Sequence, residues 1–175
     1  KDVHIPRTDP PEASRALRAK IEAAGITIMG GGTVTVPNNP AQIKKEFEYA
    51  KNAGFPLIYP DPDPTALDTI EQMAKTYDIK VAIHNHGPEN KNWPRPQDAY
   101  AAVKSRDMRL GLCIDIGHTL RTGTDPVAAC RECTRSACPL TWFRQWDSVA
   151  PCGGQPLARV CSWRRSSRLV AVTTR

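Results

Sequence analysis

Four short apolar runs recur along the chain at near-constant intervals: residues 26–29 (ITIM), 56–59 (PLIY), 80–83 (KVAI) and 110–114 (LGLCI), their starts 30, 24 and 30 residues apart. None alternates polar with apolar residues, the pattern of strands buried on both faces. The interval leaves room for one helix between successive strands, and helical punctuation is present. Asn39 reads as an N-cap with Pro40 in the first turn, Ile43, Phe47 and Ala50 inward, and Gly54 closing the helix. Asp63-Pro64 opens the next, with Leu67, Ile70, Ala74 and Tyr77 on one face. Residues 11–24 form another, with Leu17, Ile21 and Ala24 inward, and Pro96 starts a fourth carrying Ala99 and Val103. Val3, His4 and Ile5 read as the end of one more strand. Alternating strands and helices with short loops predict βα units in a parallel sheet.

Ligands of such sheets bind beyond the carboxyl ends of the strands. The first strand ends near His4 and the second runs into Gly30-Gly31-Gly32. The third runs into Tyr59-Pro60-Asp61, the fourth into His84-Asn85-His86-Gly87-Pro88-Glu89, and the fifth into Asp115-Ile116-Gly117-His118. All four histidines therefore fall on one edge. Imidazole and carboxylate are ligands for ions such as Mn, Zn or Co, and they transfer protons near neutral pH. Asp115 has a second reading, as the cap of the segment after it. The glycine run lacks a GxGxxG or Lys-Ser/Thr context and reads as a plain turn rather than a phosphate cradle.

Charge divides the chain. The net charge is +6, yet residues 1–130 hold 16 Lys+Arg and 16 Asp+Glu. The excess lies in residues 131–175, with eight Arg, no Lys, Glu132 and Asp147 as the only acids, and three of the four Trp. The neutral first part argues against a nucleic-acid groove. The 175 residues suffice for one domain burying roughly 70% of its unfolded surface. No run of about 18 apolar residues exists, so no membrane span is expected. The chain opens Lys1-Asp2-Val3 with no signal-peptide pattern. Its start reads as a processed or cut end, and the cytoplasm is the default compartment.

The segments KVAIHNHGPEN, LGLCIDIGHT and TGTDP, with AGITIMGGG and FEYAKNAGFPLIYPDPD, resemble the xylose isomerase-like TIM-barrel family over about residues 1–130. This is the sugar phosphate isomerase/epimerase group, with its inosose dehydratase-like and tagatose epimerase-like members. The resemblance implies a (β/α)8 barrel, a divalent ion (Mn, Zn, Co or Mg) among the strand ends, and proton transfer beside a carbonyl through an enediolate-type species. It implies a small sugar, sugar phosphate or inositol-type substrate. The family's Asp-x-x-His pattern matches Asp115, as metal ligand, and His118, as the residue approaching substrate. Where the family usually places a Glu ligand on the preceding strand, this chain has His84. His86 and Glu89 join His118 as candidate catalytic groups, and His4 and Asn85 as candidate substrate contacts.

A full barrel has eight strands in about 250 residues, and five are legible here. The resemblance places two further ligands, a His and a Glu, on the last two strands, whereas residues 131–175 contain no His and only Glu132. The expectation is a partial barrel over 1–130 followed by an irregular or unstructured tail over 131–175. The Arg-, Cys- and Trp-rich composition of that tail is that of a GC-rich gene read out of frame. The rival is a small basic module, either holding zinc through Cys130, Cys133, Cys138 and Cys152 or binding nucleic acid. Unpaired strand edges predict poor solubility or pairing with a second copy. An endonuclease IV-like nuclease and a non-catalytic carbohydrate- or metal-binding remnant are the alternative functions.

Overall fold

The computed structural model describes residues 11–134, 141–144 and 169–173. The elements run α1 (Pro11–Ala23), β1 (Thr27–Val36), α2 (Pro40–Ala53), β2 (Leu57–Pro62), a 3-10 turn (Pro64–Ala66), α3 (Leu67–Tyr77), β3 (Lys80–His84), α4 (Pro96–Val103), β4 (Leu110–Asp115), α5 (Ile116–Arg121), α6 (Pro126–Thr134), β5 (Thr141–Arg144) and β6 (Leu169–Thr173). The strands form one parallel sheet in the order β5-β4-β3-β2-β1-β6. This is the α/β architecture of a partial TIM barrel. Four of the five strands read from sequence are present. The fifth, at Val3 to Ile5, lies outside the described residues.

Local chemistry explains the helix boundaries. Asn39 accepts from the backbone N–H groups of Ala41 and Gln42, and Gly54, in a left-handed conformation at φ 72°, donates back to Ala50 and Lys51. Asp63 caps the 3-10 turn through Thr65, and α3 follows from it. Ile43, Phe47 and Ala50 of α2, Ile70 and Ala74 of α3, and Ala99 and Val103 of α4 pack against Ile58, Val81, Ile83, Leu112 and Ile114 on the outer sheet face. A smaller cluster of Leu57, Ala82 and Cys113, with Tyr59 against it, lies apart from that core. Side chains alternate across a strand. Asp61 therefore shares the inner face with Leu57 and Tyr59, His84 with Ala82, and Asp115 with Cys113. Leu57, Ala82 and Cys113 line the inner face below, and the polar residues stand at its carboxyl end.

Two sequence expectations need correction. Gly30, Gly31 and Gly32 are not a turn but part of β1, which continues to Val36. A Cβ on Gly30 would stand 2.4 Å from the Leu57 carbonyl oxygen, and one on Gly31 would stand 2.3 Å from the Phe55 ring. The run is thus the price of close packing against the neighbouring strand. Ala24 follows the end of α1 and is exposed, while Ser14 is the buried residue of that helix. Beyond the strands read from sequence, β6 pairs with β1 and β5 with β4, both in parallel. The rest of the tail, with Cys138 and Cys152, lies outside the described residues. Cys130 and Cys133 sit on α6, buried in the outer core, where they pack as small apolar side chains.

Candidate metal centre

His84 is the last residue of β3 and Asp115 the last of β4, exposed by only 2% and 0%. Asp115 is both the inward carboxylate and the cap of the next helix: Oδ1 accepts from the His118 backbone N–H at 2.8 Å. Its other oxygen, Oδ2, lies 3.8 Å from His84 Nε2, and it is buried with no hydrogen bond among the described residues.

Asn85 holds this corner. Its Oδ1 accepts from the Asp115 N–H at 2.8 Å, and its Nδ2 donates to Thr119 Oγ1 at 3.2 Å and to the Asp115 carbonyl at 3.4 Å. The Thr119 hydroxyl donates to the same carbonyl at 2.6 Å. The amide and the hydroxyl are both buried, so Asn85, read from sequence as a substrate contact, braces Asp115 here.

The loop after β3 is anchored to the end of β2. The His86 N–H donates to the Trp93 carbonyl at 3.0 Å, and the buried Trp93 indole donates to the Pro62 carbonyl at 2.6 Å. Asn90 Nδ2 donates to Asp61 Oδ2 at 2.9 Å, and the same oxygen lies 3.8 Å from His86 Nε2. Two carboxylates, Asp115 and Asp61, thus each face one imidazole.

His84, His86 and His118 converge. Each offers a ring nitrogen, and these atoms lie within 4.8 Å of one another. The ring centroids are 4.5 Å apart for His84–His86, 5.9 Å for His84–His118 and 5.7 Å for His86–His118. A buried carboxylate oxygen without a donor is costly unless a cation or proton meets it. The cluster, with Asp115 Oδ2 beside it, is compatible with a divalent-metal site.

Beyond the imidazoles, Arg121 Nη1 donates to His118 Nδ1 at 3.0 Å, and its Nη2 donates to Glu89, an exposed carboxylate. The structure therefore brings together His84, His86, His118 and Asp115, and joins Glu89 to them through Arg121. His4 lies outside the described residues. Sequence reasoning gave no role to Asp61, although it was visible at a strand end, nor to Arg121, whose three-residue spacing from His118 places both on one helix face.

No protein-family model matches the chain, and no curated protein matches it. Solved structures do. An uncharacterized protein from Parabacteroides distasonis is 30% identical with a TM-score of 0.61, over 75% of this chain and 52% of its own. A D-tagatose 3-epimerase-like protein is 18% identical with a TM-score of 0.60, over 77% of this chain and 61% of its own. A xylose isomerase domain protein from Planctomyces limnophilus is 18% identical with a TM-score of 0.59, over 81% of this chain and 60% of its own. The chain spans between 52% and 61% of the length of these structures. Its fold is a partial TIM barrel, similar to the folds of these structures.

Proposed function

We propose that the chain carries the metal-binding half of a sugar isomerase or epimerase site, acting by proton transfer next to a carbonyl through an enediolate. The observation that carries this reading is the convergence of three imidazoles and the bare oxygen of Asp115 at the carboxyl ends of β3 and β4. His84 and Asp115 are the ligands, with His86 beside them. A bound divalent ion of the Mn, Zn, Co or Mg class supplies Lewis acidity toward a substrate carbonyl. His86, partly exposed and facing Asp61, exchanges a proton with the carbon or hydroxyl beside that carbonyl. His118 contacts a substrate oxygen, Glu89 acts through Arg121, and Asn85 acts through Asp115.

The substrate class is a small sugar, sugar phosphate or inositol-type ketone. The resemblance of the segments around His84 and Asp115, and the printed names of two structures of similar fold, support it. Among the described residues no helix is long and apolar enough to cross a membrane. The test is deuterium exchange from solvent into such substrates, followed by NMR with the full chain and added Mn, Co, Zn or Mg. The reading expects metal-dependent exchange at the carbon next to the carbonyl that is lost in His86→Gln. Absence of exchange across all four metals and the three substrate classes contradicts it.

A further inference from the structure

We propose that Arg121 is a positioning residue that fixes the proton of His118 on Nε2, so that His118 serves as a hydrogen-bond donor and not as a metal ligand. The inference rests on the metal reading above and divides the three imidazoles by role.

A guanidinium has only N–H donors and keeps its charge in proteins. Arg121 Nη1 stands 3.0 Å from His118 Nδ1, so Nδ1 is the accepting atom. A neutral imidazole that accepts at one nitrogen carries its hydrogen on the other. With Nδ1 turned to Arg121 and Nε2 protonated, no lone pair of His118 remains for an ion.

The surroundings support a built arrangement. Glu89 holds the second guanidinium nitrogen, so the far end of Arg121 is tied to the loop after β3. Gly87 lies beneath this chain of contacts: a Cβ there would stand 3.4 Å from His118 Nδ1, 3.5 Å from Arg121 Nη1 and 3.5 Å from Glu89 Oε2. Its φ of 86° is itself one that favours glycine. Helical spacing on α5 brings Arg121 under His118, and the Asp115 cap fixes where that helix begins. His84, facing Asp115, is left as the imidazole that ligates.

The experiment is long-range proton–nitrogen NMR of the histidine rings in the nitrogen-15-labelled full chain, before and after zinc, for the native protein, Arg121→Ala and Arg121→Lys. The expected result is the Nε2–H pattern for native His118, unmoved by zinc, while the ring resonances of His84 shift. In Arg121→Ala the His118 pattern changes to a tautomer average or shifts with zinc, and Arg121→Lys, which keeps a donor, restores it. An Nδ1–H pattern in the native protein, a zinc shift of native His118, or an unchanged tautomer in Arg121→Ala overturns the proposal. If zinc moves no histidine, the metal reading fails, and the tautomers in the native and Arg121→Ala proteins still decide the role of Arg121.

Discussion

Asp115 and His84 face each other at 3.8 Å across the ends of two neighbouring parallel strands, with both side chains almost fully buried. One oxygen of Asp115 is committed to the start of α5, and the other has no hydrogen bond among the described residues. The first oxygen does structural work, and the proposed metal-binding role of the second can be separated from it by substitution.

Asn85 is the support of that carboxylate. Asn85→Ala leaves the buried Asp115 N–H without its acceptor and Thr119 without a donor. An unsatisfied buried group costs about 1–3 kcal/mol. Urea unfolding should show a loss of that size, together with weaker metal binding.

The glycine run in β1 makes a second prediction. Gly30→Ala places a Cβ against the backbone carbonyl of Leu57, which cannot rotate away as a side chain could. Overpacking of this kind costs about 1–3 kcal/mol. The same measurement should show it, with the β1–β2 pairing as the damaged element.

The opposite end of the sheet carries an ion-pair network whose pH dependence has a definite sign. Lys75 donates to Glu71 at 2.7 Å and holds its carboxyl below the usual range; burial opposes this, and Arg106, at 3.0 Å, adds to it. A lowered folded-state pKa gives stability that is present above the ordinary glutamate value and lost as pH falls through the folded value. Thermal melts should therefore show Tm declining on acidification through and below the ordinary carboxylate range. Glu71→Gln should flatten that limb and leave the neutral plateau lower.

Much of this fold is legible in sequence because its causes are local. The spacing of Ile43, Phe47 and Ala50, the Asn39 cap and the Gly54 stop each act within one turn of helix. Asp115 and His84 stand out because an apolar run cannot end in a buried polar residue without a reason. What escapes is what depends on partners distant in sequence. The glycines of β1 answer to Leu57 on the next strand and to Phe55 just before it. Asp61 meets His86 only because Trp93 and Asn90 tie the β3 loop to the end of β2. The pairings of β5 and β6 are likewise non-local.

The central claim is that His84 and Asp115 hold a divalent ion. Its most direct test is calorimetric titration of the full chain with cobalt(II) or zinc(II), comparing the native protein with Asp115→Asn. The amide keeps an oxygen to cap α5 while removing the charge and the second carboxylate oxygen. The account predicts one ion per native chain and at least about a tenfold loss of affinity in Asp115→Asn, a floor taken from the effect of merely outer-sphere changes, with the fold intact by circular dichroism. No binding to the native chain, or equal binding by both proteins, would contradict it.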